Sequence, residues 1–282
     1  MSAVLTACGR PEITLKTIGR LLGCRPPPAE VRVHVDNGGT ALAEEIRARF
    51  PTVHVVVSAT RIGPGGGRNR LLQEAQQELV ASFDDDSYPA DGDFFQRVLA
   101  AAAAHPQAAV MAAVILDGTG APTAAPKQAT RVASFVGCGC VYRRAAFLAT
   151  SGYVPLPLAY GMEEVDLALR LHAQGGCIVF DPGLRVVHEL DLRHRLSPQV
   201  AAAMMANSLL LVYLRYPLVL WPLGALQCLR KAMELLRQGG WRGITEGLRS
   251  LPGLVSAHRA SRQVLPWRAI VSYILLRRRL PA

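Results

Sequence analysis

Short apolar segments alternate with segments of helical spacing over residues 1 to about 85, and this alternation constrains the fold more than any other feature. The apolar segments "AVLTA", "VRVHVDNGG", "VHVVVS" and "LVASF" have the length and composition of β-strands. Residues 11–22, 41–50 and 68–79 have the spacing or charge pattern of helices. Strands and helices in this succession predict an α/β fold with a mostly parallel sheet flanked by helices.

Two turns at predicted strand ends combine polar side chains with glycine, and ligands of such sheets bind beyond the carboxyl ends of the strands. Asp36 and Asn37 precede two glycines after the second strand. After the third strand, "IGPGGGRNR" predicts a glycine loop, with Arg68 opening the next helix, which suits an anionic ligand. It matches neither a P-loop nor the dinucleotide fingerprint. A plain turn and a flexible loop with solvated arginines remain the structural alternatives.

The fourth predicted strand ends in "ASFDDDSYP", which places Asp84, Asp85 and Asp86 side by side. Three adjacent carboxylates repel one another unless a positive charge lies among them. Strand alternation predicts that Asp84 and Asp86 point the same way and that Asp85 faces elsewhere. Oxygen ligands of this kind suit Mg²⁺ or Mn²⁺. A solvated acidic turn, or a helix cap before Pro89, is the alternative.

Six ordered motifs across about residues 3 to 190 resemble the family 2 glycosyltransferases, inverting enzymes of the GT-A fold that use nucleotide sugars. The first three are "VDNGG", "RIGPGGGRNRLLQEA" and "ASFDDDSYP". They are followed by "FVGCGCVYRRAAFLATSGY", "YGMEEVDLALRLHAQGG" and "IVFDPGLRVVHEL". The later segments "NSLLLVYLRYP" and "GGWRGITEGLRSLPG" resemble the helical tails of bacterial family members that build cell-surface polysaccharides. The resemblance implies a nucleoside-diphosphate sugar donor and a saccharide or lipid-linked acceptor.

The resemblance also assigns roles to individual residues. Asp86 would bind Mg²⁺ or Mn²⁺ directly, with Asp84 and His188 beside it, although a histidine capping a strand end is the alternative for His188. The residues expected to contact the nucleotide sugar are Thr6, Ala7, Asp36, Asn37, Arg68, Asn69, Asp84 and Asp85.

The acidic motif of this chain departs from the usual family pattern. The family commonly has Glu-Asp before the valine, whereas here the pair is Glu163 and Glu164. The resemblance implies that Glu164 is the catalytic base, with Glu163 as the fallback, provided that the backbone lies slightly further from the acceptor. Asp166 and Arg170 are four residues apart on the same predicted helix and are expected to form a structural ion pair.

The excess positive charge lies in the last quarter of the sequence. The net charge is +10, and residues 215–282 contain twelve Lys or Arg and two Glu, which accounts for all of it. Arginine interleaved with apolar and aromatic residues, as in "LLLVYLRYPLVLWPLGALQCL", favours a membrane surface over nucleic acid. Docking helices with basic outer faces are the alternative. A spanning helix is disfavoured because Arg215, Pro217 and Pro222 interrupt the best candidate.

We therefore predict a catalytic domain over residues 1–195 and a basic, apolar helical tail over residues 196–282. The segment "MSAVLTACGRPE" lacks a basic start followed by a long apolar region, which predicts a cytoplasmic protein at the inner face of the membrane. Only Cys138 and Cys140 of the six cysteines are close in sequence, and a lone C-x-C is weak evidence for a metal site. Buried free thiols are the expectation.

Two other functions remain open on the sequence. A sugar nucleotidyltransferase also joins a glycine-arginine loop to metal-binding aspartates, but such enzymes place that loop after the first strand, and here it follows the third. A catalytically inactive, membrane-associated sugar-binding protein is the second alternative, because the Glu-Glu pair departs from the family pattern.

Overall fold

A nine-stranded sheet forms the centre of the part of the chain that the structure, a computed structural model, describes: residues 1–122, 126–189 and 197–279. Two short 3₁₀ helices, Leu218–Leu220 and Arg259–Ser261, join helices near the end of the chain. The strands are β1 (Ser2–Ala7), β2 (Glu30–Val35), β3 (His54–Val57), β4 (Leu79–Asp84), β5 (Ser87–Pro89), β6 (Ala108–Leu116), β7 (Thr130–Val132), β8 (Cys140–Arg143) and β9 (Cys177–His188). The α-helices are α1 (Pro11–Leu22), α2 (Thr40–Arg49), α3 (Gly63–Glu74), α4 (Phe94–Ala104), α5 (Arg144–Leu148), α6 (Glu163–Ala173), α7 (Pro198–Arg215), α8 (Trp221–Arg237), α9 (Trp241–His258) and α10 (Trp267–Arg279).

The strand order is β3-β2-β1-β4-β8-β6-β9-β5, and β7 pairs with β9. The first four strands are parallel, as the alternating pattern predicts. Beyond β4 the sheet is mixed: β8 is antiparallel to both of its neighbours, and β6 is parallel to β9. The α/β fold class is confirmed. The strict alternation that predicts parallel strands ends at β4, so the sequence did not indicate the mixed half.

Helices cover both faces of the sheet because the strands are apolar on both sides. In β4, Ala81 and Phe83 belong to a cluster with α1, α2 and α4, whereas Val80 belongs to a second cluster with α3, α5, α6 and α10. Alternate strand residues point to opposite faces, so the two clusters lie on opposite sides. In α1, Leu15, Ile18 and Leu21 repeat at helical spacing and are all buried.

The predicted glycine loop between β3 and the next helix is wrong, because its glycines are the first turns of α3 itself. Helix α3 runs from Gly63 to Glu74, not from residue 68 to residue 79. A Cβ atom at Gly63 would lie 2.0 Å from the carbonyl oxygen of Leu156, and one at Gly67 would lie 2.5 Å from Nδ1 of His34. The missing side chains therefore allow close packing of α3, and Arg68 lies inside this helix, not at its start.

The C-terminal helices pack against the sheet domain. Ile270 and Tyr273 of α10 belong to the same apolar cluster as α6. The buried side chain of Arg215, at the end of α7, donates from Nε to Asp166 of α6 at 2.5 Å. Asp166 also pairs with Arg170 at 2.7 Å, as predicted. The predicted boundary at residues 195 and 196 lies outside the described residues, and the two-domain division stays a prediction.

Candidate active site

The carboxyl ends of β1, β2 and β4 open into one cavity of about 720 Å³. This volume is in the range that holds a small-molecule ligand. Of the predicted site residues, only Asn37 and Asn69 do not line it. Those that do are Thr6, Ala7, Asp36, Arg68, Asp84, Asp85, Asp86, Glu163, Glu164 and His188.

The three aspartates line the same cavity. Strand β4 ends at Asp84, and the next two residues, Asp85 and Asp86, form a turn. Strand alternation therefore does not apply beyond Asp84, and the expectation that Asp85 faces elsewhere is wrong. Asp84 accepts a hydrogen bond from Thr6 Oγ1 at 2.9 Å. Burial raises the pKa of Asp85 to about 6, although an arginine partner opposes this rise.

That partner is Arg10, which the sequence reasoning missed. Its guanidinium binds both carboxylate oxygens of Asp85 and donates from Nη1 to Asp86 Oδ2 at 2.7 Å. Arg10 follows β1 in "CGRPE", at the same sheet edge as the aspartates, and this position was the available signal. Its positive charge offsets the repulsion between Asp85 and Asp86.

His188, at the end of β9, lies between Asp86 and Cys138. Its Nε2 is 3.2 Å from Asp86 Oδ1, without the geometry of a hydrogen bond, and this buried oxygen accepts none. Its Nδ1 is 3.5 Å from the Cys138 thiol. Burial opposes ionisation of Asp86, but His188 and Arg10 together hold the pKa of Asp86 below its usual value.

The side chains fit a divalent metal ion. Asp84, His188 and Cys138 each offer one ligand atom, and these atoms lie within 4.8 Å of one another. The unpaired, buried Oδ1 of Asp86 lies 3.2 Å from Nε2 of His188, and an unsatisfied buried carboxylate oxygen is a costly feature that a cation would relieve. Asp84, Asp86 and His188 are thus suitably placed to hold such an ion.

Arg68 connects the aspartates to the acidic motif through the interior of the protein. It is buried, and it donates from Nη1 to Glu163 Oε1 at 2.6 Å, from Nη2 to Asp84, and from Nε to Ser82 at 3.1 Å. Burial disfavours its charge, but the two carboxylates outweigh this and raise the pKa of Arg68. Arg68 therefore fixes the position of Asp84 relative to the start of α6.

Glu163 and Glu164 have different surroundings although they are adjacent. Glu163 is buried, and burial raises its pKa to about 8 despite the ion pair with Arg68. Glu164 is partly exposed, and its Oε1 accepts a hydrogen bond from the backbone N–H of Gly137 at 3.2 Å. A Cβ atom at Gly137 would lie 3.0 Å from both Arg68 and Glu164, so a side chain there would disturb this carboxylate.

The two asparagines and Asp36 have structural contacts. Asp36 accepts hydrogen bonds from the backbone N–H groups of Ile62 and Gly63 at 3.0 and 2.9 Å. Its carboxylate therefore lies at the start of α3, in the glycine-rich segment where the sequence analysis expects an anionic ligand. Asn37 has a positive φ of 57° in the turn after β2. Asn69 bonds in both directions with the backbone of Tyr153, away from the cavity lining. Their predicted contacts with nucleotide stay predictions.

One wall of the cavity is built by a loop and by the start of α7, which the sequence reasoning did not include. The loop residues Pro157, Leu158, Ala159 and Tyr160 line the cavity, together with Ser197, Gln199 and Val200. Asn207 of α7 donates to the carbonyl oxygens of Leu158 and Tyr160 at 2.8 and 3.0 Å. The C-terminal part of the chain thus shapes the cavity directly.

Residues 2–137, which contain β1 to β4 and the aspartates, match the family model of glycosyl transferase family 2. The match covers just under half of the chain, and this part of the chain is similar to a family 2 glycosyltransferase domain. The aspartates and Arg68 lie in the matched part, whereas Glu163, Glu164 and His188 lie beyond it. No curated protein sequence matches the chain.

Solved structures show that the chain has the GT-A fold. A structure of GalNAc-T7 with UDP, GalNAc and Mn²⁺ is 15% identical, with a TM-score of 0.59 over 77% of this chain, and the chain spans about half (48%) of that protein. The mannosyltransferase PcManGT from Pyrobaculum calidifontis, with GDP-Man and Mn²⁺, is 12% identical, with a TM-score of 0.55 over 97% of this chain and 79% of its own. TarS from S. aureus, with UDP, is 17% identical, with a TM-score of 0.53 over 75% of this chain and 65% of its own.

Proposed function

We propose that this protein is an inverting glycosyltransferase that moves a sugar from a nucleoside-diphosphate sugar to a hydroxyl group of a saccharide or lipid-linked acceptor. One observation carries the proposal: a single cavity holds a cation-binding group of aspartates and histidine together with the Glu164 carboxylate. The diphosphate of the donor needs a bound cation to offset its charge, and the hydroxyl of the acceptor needs a carboxylate to take its proton. The relatives of this fold that bind UDP, GDP-Man or Mn²⁺ support the same reading.

Glu164 is the proposed base. Its partly exposed carboxylate lies on the cavity and is held by Gly137, so it can take the proton of an acceptor hydroxyl. The acceptor oxygen then attacks the anomeric carbon, and the nucleoside diphosphate leaves from the opposite face, which inverts the configuration. Glu163 is a positioning residue in this scheme, because its carboxylate is buried against Arg68.

Asp84, Asp86 and His188 are the proposed residues for Mg²⁺ or Mn²⁺. When bound, the ion supplies positive charge that offsets the negative charge on the leaving diphosphate. Arg10 forms ion pairs with Asp86 and with the neighbouring Asp85, and so offsets part of their negative charge. Thr6, Ala7 and Asp36 line the cavity and are proposed to contact the nucleotide, Thr6 and Ala7 through the backbone. Asn37 and Asn69 lie outside the lining and are proposed to support the turn after β2 and the position of α3.

The donor is identified first, by thermal shift with a panel of nucleoside diphosphates and nucleotide sugars, with and without Mn²⁺. A true donor stabilises the folded state by mass action. Turnover with that donor should release a nucleoside diphosphate, and NMR should show the inverted anomeric configuration. Release of pyrophosphate would instead identify a nucleotidyltransferase, and donor binding without any hydrolysis or transfer would identify an inactive sugar-binding protein.

Two substitutions test the assigned roles. Glu164→Gln should lower transfer by about 10²- to 10⁴-fold with donor binding retained, since only proton transfer is lost. Asp86→Asn should abolish metal-dependent turnover with the fold intact. Glu246→Gln, on the exposed surface of α9, is the matched control for loss of a carboxylate. Near-normal turnover of either site variant would overturn its assigned role.

The proposed setting is cell-surface polysaccharide or glycolipid synthesis at the inner face of the cell membrane. Within the part of the chain that the structure describes, no helix is long and apolar enough to cross a bilayer. Apolar side chains are nevertheless exposed: Leu218 and Val219 are 70% and 73% exposed, and Leu229 and Leu236 share one face of α8. Arg230, Lys231, Arg237 and Arg242 lie on and beside this helix. Apolar and basic side chains together favour an anionic lipid surface.

Sedimentation with lipid vesicles tests this surface. The protein should sediment with phosphatidylcholine vesicles that contain phosphatidylglycerol and should remain in solution with phosphatidylcholine alone. The double variant Leu229→Glu and Leu236→Glu should lose this binding, whereas exposed Leu99→Glu on α4 is the control. Equal vesicle binding by the double variant and by the Leu99→Glu control would contradict the membrane assignment. So would a wild-type protein that does not bind vesicles but forms a dimer that the double variant loses.

A further inference from the structure

A thiol and an imidazole lie next to the donor aspartates, and the proposed function uses only the imidazole. Cys138 is buried just before β8, Asp84 ends β4, and His188 ends β9. One ligand atom from each lies within 4.8 Å of the other two. A sulfur, a nitrogen and an oxygen atom from three separate parts of the sheet thus lie close together.

The spacing of the sulfur and nitrogen atoms suits a tetrahedral metal site. With Zn–S near 2.3 Å and Zn–N near 2.0–2.1 Å, two ligands of a tetrahedral zinc ion lie about 3.5 Å apart. The Cys138 Sγ to His188 Nδ1 distance is 3.5 Å. The carboxylate of Asp84 is partly exposed, and Thr6 and Arg68 both donate to its Oδ1, so its second oxygen can supply the oxygen ligand.

The other nitrogen of His188 has the partner that a metal-bound histidine usually has. Metal-binding histidines almost always face a carboxylate or carbonyl with the nitrogen that does not bind the metal, and this fixes the ring. His188 Nε2 lies 3.2 Å from Asp86 Oδ1, a buried oxygen that accepts no hydrogen bond.

We infer that Asp84, Cys138 and His188 form a binding site for a thiophilic divalent ion of the Zn²⁺ or Co²⁺ type, with Asp86 orienting His188. Thiolate and imidazole ligands favour such ions, whereas Mg²⁺ and Mn²⁺ favour carboxylates. Asp84 and His188 belong to both proposed sites, so Zn²⁺ would exclude the catalytic ion. This inference goes beyond the proposed function, because the ion would bind whether or not the protein transfers a sugar.

The alternative is that Cys138 is a buried thiol that only contacts His188. In that case the sulfur keeps its proton and lies 3.5 Å from His188 Nδ1 with no metal ion between them. A coordinated metal ion removes that proton outright, because its charge lies closer to the sulfur than the carboxylates do. The two readings therefore differ in whether a metal–thiolate bond forms.

Cobalt spectroscopy of the full-length, metal-free protein distinguishes them without any activity measurement. Titration with Co²⁺ should produce a thiolate-to-cobalt charge-transfer band in the near ultraviolet, and Zn²⁺ should abolish the band whereas Mg²⁺ should not. Cys138→Ser should remove the band and weaken Zn²⁺ binding by more than about tenfold, since it removes a direct ligand. His188→Gln should also remove it, although it keeps all six cysteines.

Two other cysteines provide matched controls. Cys8 is exposed on the same cavity, and Cys140 is buried two residues from Cys138, with its sulfur near the Gly137 carbonyl. Cys8→Ser and Cys140→Ser should keep the band. Absence of a band in the wild-type protein, or a band that survives His188→Gln and vanishes with Cys8→Ser, would overturn the inference. His188→Gln also decides the matter if Cys138→Ser fails to fold.

Discussion

Replacement of Glu163 by Gln should change how the stability of the protein depends on pH. The Glu163 carboxyl is buried, and its pKa rises from 4.5 to about 8. The folded protein therefore holds a proton near neutral pH that the unfolded chain releases. Stability from this group is fully present below about pH 4.5 and is lost as the pH rises towards 8. Proton linkage with these two pKa values gives a loss of about 2 kcal/mol between about pH 6 and about pH 8.

Urea unfolding at about pH 6, 7 and 8 measures this effect. The wild-type free energy of unfolding should fall by about 2 kcal/mol more than that of Glu163→Gln over this interval. Asp85, whose pKa is about 6, titrates in both proteins, so its contribution cancels in the difference. Glu246→Gln controls for the loss of one carboxylate. Parallel pH profiles for the wild type and Glu163→Gln would refute the claim that burial outweighs the Arg68 ion pair.

Three further predictions concern the interior and the cavity. Arg215→Met should lower the free energy of unfolding in urea by about 3 kcal/mol, because Asp166 loses one of its two buried arginine partners. A loss below about 1 kcal/mol would contradict this prediction. Gly67→Ala should lower stability by about 1–3 kcal/mol through overpacking, since its Cβ would lie 2.5 Å from His34, whereas Gly92→Ala, with open space, is the control. Arg10→Gln should raise the affinity for Mn²⁺ in calorimetry without nucleotide, because Asp86 loses a competing cation; a lower affinity would show that Arg10 supports the site instead.

Much of the N-terminal half could be predicted from the sequence because its determinants are local. The apolar strands, their polar ends and the proline at the start of α1 are short-range patterns. Parallel strands bring their carboxyl ends to one edge, so Thr6, Asp36 and Asp84 were expected to meet there, and all three line the cavity. The glycine run was misread because its reason, close packing against His34 and the Leu156 backbone, is a tertiary contact.

The fold class, the parallel half of the sheet and the group of aspartates at its edge follow from local sequence patterns. The electrostatic partners are set by long-range contacts in the folded chain: Arg10 contacts Asp85 across 75 residues, and Arg68 contacts Glu163 across 95. The same holds for the separate environments of Glu163 and Glu164 and for the cavity wall at the start of α7. Strand and helix patterns depend on neighbours along the chain, whereas burial and ion pairing depend on distant segments that meet only when the chain folds.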